Sequence, residues 1–243
     1  MIYEIAGLRI QIENKYEYTT KFCRGYLSND QLSPATLTAT VTEEEFLEEK
    51  KNSAQFSDGY IENICLYRSI CLQLPKYNRF LLHTSVLEYD GEGYAFLGRS
   101  GTGKSTHTKL WLKHLPNTRV VNGDKPILEC TDKGFIVYGT PWQGKENWGY
   151  NGKVFLRGLC FLEQAPVNQI RKLSTAETSN RIFTQVLLPE KEEDVVATLE
   201  LLDKLIMNTP AYLLSCTISE DAVKTSFEEM TGKAYENCKK VEG

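Results

Sequence analysis

One short segment limits what this chain can fold into more than any other part of it: the run GRSGTGKS from Gly98 to Ser105. Its glycines, lysine and final serine fit the pattern of a phosphate-binding loop at every fixed position. The apolar residues 94–97 before it predict a strand, and residues 104–115 after it predict a helix that Pro116 ends. Because such a loop works between a strand and a helix, the sequence predicts a nucleotide-binding α/β fold.

The residue types of this loop explain its chemistry. Glycines let the backbone turn with positive φ and direct its N–H groups inward. The helix that starts at Lys104 points its partial positive end at the same place. Lys104 can reach the β- and γ-phosphates of ATP, and the hydroxyl of Ser105 can ligate Mg²⁺. The predicted nucleotide-binding residues are Gly98, Arg99, Ser100, Gly101, Thr102, Gly103, Lys104, Ser105 and Thr106.

A magnesium nucleotide also needs an acidic partner near the loop. Asp124 is the first acidic residue after the loop, and it follows the predicted strand 119–122. We expect Ser105 and Asp124 to be the two protein contacts of Mg²⁺. The alternative is an ordinary turn aspartate beside Gly123.

Apolar periodicity and capping signals predict the other elements. The predicted strands cover residues 8–12, 35–41, 82–89, 94–97, 119–122, 126–130, 135–138, 154–162 and 211–216. The predicted helices cover residues 43–51, 60–74, 104–115, 174–189, 194–207 and 219–232. The first forty residues are interpreted as strands. We predict an N-terminal strand and helix extension, residues 1–75, packed on a nucleotide-binding core, residues 76–243, with C-terminal helices.

The order of elements after the loop narrows the family. A predicted hairpin follows Asp124, where a doubly wound nucleoside triphosphatase would have a crossover helix. The N-K-x-D motif of GTPases is missing. From His83 to Asp124 the chain resembles the catalytic core of HPr kinase/phosphorylase and of ATP-dependent phosphoenolpyruvate carboxykinase. The run SGTGKST from Ser100 to Thr106 is similar to the carboxykinase loop. His83 opens the predicted strand of the preceding hairpin, where HPr kinase carries an active-site histidine.

This resemblance implies a mixed-sheet P-loop domain of the HPr kinase C-terminal type. It also implies an ATP- and Mg²⁺-dependent kinase that phosphorylates a hydroxyl on a small molecule, peptide or protein. The runs GTPWQGK, residues 139–145, and FLEQ, residues 161–164, resemble a small bacterial branch of HPr-kinase-like proteins. HPr kinases are hexameric, so the resemblance makes a homo-oligomer possible.

The sequence departs from the family at the aspartate pair that follows the loop. Here that pair is Gly123 and Asp124. Whether His83 or Asp124 is the catalytic base therefore stays open. A partly buried strand histidine is the alternative for His83. The missing carboxylate also favours a second class of function, a nucleotide-binding switch or degenerate kinase that binds ATP without phosphoryl transfer.

Lys145 completes the predicted catalytic residues, which are His83, Lys104, Asp124 and Lys145. It lies in the Trp- and Gly-rich loop 139–152, and a cation at the mouth of the site would suit a phosphoryl transition state. The alternative is a solvated charge pair with Glu146.

Residues outside these motifs are predicted from their positions on helices and strands. His107 and His114 are predicted to be surface residues of the loop helix. Arg157 is expected to point out of the core, with the cleft as one possible direction. The pattern Leu199, Leu202, Leu205 and Ile206 indicates either core packing or a partner surface.

Composition limits the partners. A net charge of −4 argues against attraction to nucleic acid or an anionic membrane. The sequence has no apolar run near the roughly 20 residues that a membrane span requires. Seven cysteines without metal spacing favour reduced thiols, so we predict a cytoplasmic protein.

Overall fold

The computed structural model describes residues 1–240. The strands in this part of the chain are β1 (Ile2–Ile5), β2 (Leu8–Ile12), β3 (Leu37–Ala39), β4 (Arg79–Leu81), β5 (Ser85–Tyr89), β6 (Glu92–Leu97), β7 (Thr118–Asn122), β8 (Ile127–Thr131), β9 (Gly134–Tyr138), β10 (Lys153–Gln164), β11 (Gln169–Lys172) and β12 (Ala211–Cys216). The α-helices are α1 (Glu17–Phe22), α2 (Glu43–Asn52), α3 (Asp58–Gln73), α4 (Lys104–His114), α5 (Thr175–Ile182), α6 (Glu192–Asn208) and α7 (Glu220–Thr231).

A mixed nine-stranded sheet forms the centre, with β7, β5, β6 and β10 as neighbours in that order. The other edge of β10 is shared: its first residues pair with β9, which leads to β8 and β4, and its later residues pair with β12, which leads to β11. Strand β10 runs parallel to β6 and β12, whereas its pairing with β9 is antiparallel. The predicted α/β class is confirmed.

Helices cover both faces of this sheet because its strands are apolar on both sides. Strand β6 shows the alternation: Ala95 and Leu97 join the cluster that α6 covers, whereas Tyr94 and Phe96 join the cluster that contains Trp111 of α4 and residues of α7. The predicted loop joins β6 to α4, so it lies at the carboxyl end of a central strand of the sheet.

The N-terminal layer consists of the sheet β1–β2–β3 and helices α1 to α3. Its apolar side chains, such as Ile10 and Leu66, belong to one buried cluster together with Leu81, Ile127 and Trp142 of the rest of the chain. This layer therefore packs directly on the segments that surround the predicted site. The division of the chain at residue 75 stays a prediction.

Several predicted elements are wrong in detail. The first forty residues contain the helix α1 and a short 3-10 turn, Arg24–Tyr26, in addition to strands. The strand predicted for 35–41 is limited to β3, and the helix predicted to reach residue 189 ends at Ile182. The strands β1, β4 and β11 were not predicted, since three or four residues carry little periodicity.

His107 corrects the prediction of a surface histidine. It is buried, and its Nε2 lies 3.0 Å from the hydroxyl of Ser226 on α7 and accepts a hydrogen bond from Trp111 Nε1 at 3.1 Å. Burial lowers the pKa of His107 to about 3, so the ring is neutral. Helix α4 packs on the sheet and on α7, which buries a face that the sequence suggests is polar. His114 is partly exposed and lies 3.5 Å from Glu220.

Arg157 points out of the core, as expected, but away from the predicted site. Its guanidinium pairs with Glu92 at 2.6 Å and lies over the ring of Phe155. All seven cysteines carry free thiols. Within residues 1–240, no helix combines the length and apolarity needed to cross a membrane.

The apolar pattern on α6 is core packing for its buried members, which gives a stability prediction. Leu202→Ala should lower the free energy of unfolding by about 2–5 kcal/mol, because Leu202 is fully buried. Val196→Ala on the same helix should change it by less than about 0.5 kcal/mol, since Val196 is half exposed. Chemical denaturation of both variants checks this. Equal effects would contradict the assignment.

Candidate functional site

The glycine-rich loop connects β6 to α4 in a tight turn. Gly98 has φ +153°, and a β-carbon there would lie 2.5 Å from the hydroxyl of Thr102. Gly103, at the N-cap of α4, has φ +106°. Thr102 closes the turn by donating to the carbonyl of Arg99 from its amide at 3.2 Å and from its hydroxyl at 2.9 Å. The backbone geometry of the loop therefore requires glycine at both positions.

The N-terminus of α4 differs from that of every other α-helix within residues 1–240. Helices α2, α3, α5 and α7 have a serine or threonine N-cap that accepts a backbone N–H, and α1 and α6 have acidic residues in the first turn. Helix α4 has neither. Its first N–H groups and partial positive charge are thus left for an anion, as phosphate binding requires.

Lys104 is held against this loop. Its Nζ donates to the carbonyl of Gly98 at 2.7 Å and lies 3.5 Å from that of Arg99. Burial lowers the pKa of Lys104, and the negative charge of Asp124 partly opposes this shift. The ammonium group is therefore placed beside the open N-terminus of α4, and Asp124 is near enough to affect it.

His83 and Asp124 meet in front of the loop. His83 lies in the link between β4 and β5, so the prediction that it opens a strand is wrong by two residues. Its Nε2 lies 3.0 Å from Oδ1 of Asp124. Two backbone hydrogen bonds fix the link: Thr84 N donates to the carbonyl of Asp124 at 3.0 Å, and His83 N donates to that of Gln185 at 2.7 Å.

The surroundings keep Asp124 ionised. Burial acts to raise the pKa of this carboxyl group, but the hydrogen bond and charge of His83, with the charges of Lys125 and Lys104, outweigh it. The pKa of Asp124 is therefore below its usual value. A charged carboxylate at neutral pH suits a metal ligand.

The donor set fits Mg²⁺. Ser105 and Asp124 line the same cleft, and Asp124 Oδ2 has no hydrogen bond from residues 1–240. In the same part of the chain, no three His, Cys, Asp or Glu side chains form a metal-binding group. Mg²⁺ commonly binds through one or two protein oxygens with water and phosphate oxygens as the remaining ligands. Ser105 and Asp124 would hold it in this way.

A cleft of about 690 Å³ brings the predicted residues together. The predicted residues that line it are His83, Ser100, Gly101, Gly103, Lys104, Ser105, Thr106, Asp124 and Lys145. Gly98, Arg99 and Thr102 belong to the loop but not to the cleft wall. Lys145 is exposed and makes no ion pair within residues 1–240. The cleft thus contains the predicted phosphate, metal and base groups in one place.

No family model matches this chain, and no curated protein matches it. The residues of the cleft are therefore the basis for inferring its chemistry.

Gly123 has a steric role beside Asp124. A β-carbon at this position would lie 2.9 Å from the carbonyl oxygen of Gln143, and Gly123 N donates to the carbonyl of Trp148 at 2.9 Å. The loop 143–148 therefore occupies the space that a second carboxylate would need. Glycine at this position and the close approach of the loop belong together, so an aspartate could enter only if the loop moved.

Asn122 builds the turn that carries Asp124, and no motif or periodicity in the sequence singles it out. The side chain is fully buried, and its Oδ1 accepts from the amides of Asp124 at 2.9 Å and Lys125 at 2.7 Å. Its Nδ2 donates to the carbonyl of Thr140 at 3.2 Å and to the Thr140 hydroxyl at 3.0 Å. Asn122 thereby joins the end of β7 to the start of the loop 139–152.

The N-terminal layer forms part of the wall of the cleft that contains the glycine-rich loop. Its residues in the cleft are Tyr18, Phe22, Tyr60, Asn63, Ile64 and Tyr67. The amide of Asn63 accepts a hydrogen bond from Trp142 Nε1 at 2.9 Å, which ties helix α3 to the loop 139–152. Tyr60, Asn63 and Tyr67 share one face of α3 by their spacing, a signal that could have identified this wall.

The first site prediction concerns Asn122. Asn122→Ala should lower the free energy of unfolding by about 1–3 kcal/mol, since it leaves buried N–H groups of Asp124 and Lys125 without partners. Asn208→Ala is the control, because that exposed amide bonds only within α6, to the carbonyl of Lys204. Its effect should be below about 0.5 kcal/mol. Denaturant unfolding compares the two, and equal stabilities would contradict the role of Asn122.

The second site prediction concerns pH. Because the folded-state pKa of Asp124 is lowered, its contribution to stability is present above the unfolded pKa of about 4. That contribution is lost as the pH falls through the folded pKa. His83→Ala should raise the pKa of Asp124, so the contribution should be smaller and its loss should be complete at a higher pH. Carbon NMR titration of the Asp124 carboxyl measures this directly, and an unchanged pKa would show that His83 does not stabilise the carboxylate.

Proposed function

We propose that this chain is an ATP- and Mg²⁺-dependent kinase with a P-loop domain of the HPr kinase and phosphoenolpyruvate carboxykinase type. The observation that carries the proposal is the contact of 3.0 Å between His83 Nε2 and Asp124 Oδ1 in the same cleft as Lys104 and Ser105. A phosphate site alone would need only the loop. A metal-ligating carboxylate with a histidine beside it supplies what phosphoryl transfer to a hydroxyl requires in addition.

The reaction moves the γ-phosphoryl group of ATP to an acceptor hydroxyl. The hydroxyl oxygen forms a bond to the γ-phosphorus, the bond between that phosphorus and the oxygen bridging to the β-phosphate breaks, and ADP leaves. The proton of the hydroxyl passes to the pair of His83 and Asp124. The products are ADP and the phosphorylated acceptor.

The residues divide this work. The N–H groups at the start of α4 and the ammonium of Lys104 bind the phosphates of ATP and orient them. Ser105 and Asp124 would hold Mg²⁺, which would supply positive charge to neutralise the phosphates. His83 holds Asp124 in position and is the titratable group next to it. Lys145, on the rim of the cleft, is placed to balance charge on the transferred group.

A second candidate function is a switch that binds nucleotide without transferring phosphate. The specific observation in its favour is Gly123, where the loop 143–148 leaves no space for the second carboxylate of the resembled family. Formation of ADP that depends on an added acceptor discriminates between the two, because the switch would bind Mg²⁺·ATP and release no product.

Lys104 gives the test of the nucleotide site. Lys104→Ala should weaken ATP binding and reduce ADP formation by at least about a hundredfold, because it removes the cation that meets the β- and γ-phosphates. Lys113→Ala, an exposed lysine in the last turn of the same helix, is the matched control and should be fully active. Undiminished turnover in Lys104→Ala would refute the loop assignment.

His83 gives the test of proton transfer. His83→Gln should lower kcat by about 10²- to 10⁴-fold with little change in ATP affinity, as expected for loss of a proton acceptor. A packing role would have a different signature, a lower melting temperature with kcat within a few-fold. Melting temperature and kcat measured on the same preparation separate the two roles.

A further inference from the structure

The proposed phosphate site accounts for the loop residues of the cleft, and the remaining lining includes a series of aromatic rings. Tyr67 and Trp142 lie in contact, with ring centroids 4.9 Å apart, and Trp142 is 6.3 Å from Phe22. Phe22 stacks on Tyr18 at 5.9 Å, and Tyr18 meets the edge of Tyr60 at the same distance. Nothing in the binding of ATP phosphates accounts for this wall.

The wall lies near the pair of His83 and Asp124. The negative charge of Asp124 acts on Tyr67 of the wall as well as on Lys104 of the loop. The next residue, Lys125, contacts the wall, and its ammonium lies 4.8 Å from the centroid of Tyr67. A molecule on the wall can therefore direct a hydroxyl to that pair.

Two lysines of the cleft have no carboxylate of their own. Within residues 1–240, neither Lys125 nor Lys145 forms an ion pair, and the neighbouring Asp124 is held by His83. Lys125 is half-buried, and a ring face is its partner. A cation placed on a ring face keeps its charge available to an anion that packs beside the same ring.

From these contacts we propose that the phosphoryl acceptor is a small hydroxylated carboxylic acid with an aromatic or similarly flat apolar body. Its body packs on Tyr67 and Trp142, its carboxylate meets Lys125 with Lys145 on the rim, and its hydroxyl reaches His83 and Asp124. The cleft of about 690 Å³ also includes the glycine-rich loop, so only part of this volume is left for the acceptor, which favours a small molecule. The proposal rests on the proposed kinase function and names its acceptor.

The transfer step forms and breaks the same bonds as the proposed kinase reaction. The acceptor hydroxyl forms the new bond to the γ-phosphorus and gives its proton to the pair of His83 and Asp124, while ADP leaves with the bridging oxygen. The carboxylate and the aromatic body are unchanged by the reaction and serve only for recognition.

Binding of matched probes to the full chain tests the proposal without requiring turnover. The probes are phenyllactate, which has ring, hydroxyl and carboxylate, its neutral amide, and lactate, which lacks the ring. Saturation-transfer NMR in the presence of Mg²⁺ and a non-hydrolysable ATP analogue measures each dissociation constant. Phenyllactate should bind about tenfold more tightly than either of the others, as loss of one charge-assisted or ring contact predicts.

Variants locate the probe. Lys125→Met should weaken phenyllactate to the level of the amide and leave the amide unchanged. Lys109→Met is the matched control, because Lys109 also lies over a ring, Trp148, at 5.3 Å, but does not line the cleft. Phe22→Ala, at the partly exposed end of the wall, should weaken phenyllactate and the amide alike. Affinity for the ATP analogue should be unchanged in Lys109→Met and Phe22→Ala, since neither residue contacts the loop or Asp124.

Other results would overturn the proposed acceptor, or would show that the acceptor and the kinase function fail independently. Equal affinity for the acid and its amide, or no effect of Lys125→Met, would overturn it. Competition of adenosine with the probe would overturn it as well, by showing that the wall binds the base of the nucleotide. If the probe pattern appears without ADP formation from any hydroxy acid, the acid site stands and the kinase function fails. If the chain phosphorylates neutral alcohols only, the kinase function stands and the acid site fails.

Discussion

The open N-terminus of α4 is the constraint on which the rest of the site depends. Strand β6 is buried and must turn within a few residues into a helix that packs on the same sheet. Glycines make that turn possible, and neither a capping side chain nor an acidic residue covers the first N–H groups. These donors and the helix dipole attract an anion. Lys104 adds the positive charge, and the pair of Asp124, in the turn after β7, and His83, in the link before β5, lies near it.

The second principle of the site is that its polar groups are positioned by buried hydrogen bonds on neighbouring segments. Asn122 joins the turn of Asp124 to Thr140, and Thr140 in turn donates to the carbonyl of Lys125 at 2.8 Å. Asn63 then ties the same loop to the N-terminal layer through Trp142. Because these amides are buried and satisfied, they hold the loop against Gly123 and Asp124. The N-terminal layer is therefore part of the cleft and supplies part of its wall.

The sequence predicted the parts of this molecule that depend on local chemistry. The loop, α4, the hairpin of β5 and β6, and the meeting of His83 with Asp124 follow from a motif and its spacing, the last by resemblance. Parts that depend on packing between distant segments were not predicted. His107 is buried because α7 covers α4, and the aromatic wall forms because α3 packs beside the loop 139–152. The sequence pattern of either segment alone does not reveal such contacts. The exception is the spacing of Tyr60, Asn63 and Tyr67, which places them on one face of α3.

The central claim is that the N-terminus of α4 binds the phosphates of Mg²⁺·ATP. Titration of the isotope-labelled chain with Mg²⁺·ATP, followed by the chemical shifts of backbone amides, tests it most directly. The amides from Gly101 to Thr106 should shift most and saturate together, and Lys104→Ala should reduce the affinity at which they do so. If Mg²⁺·ATP leaves these amides unchanged, or shifts another part of the molecule instead, the phosphate site at α4 is contradicted.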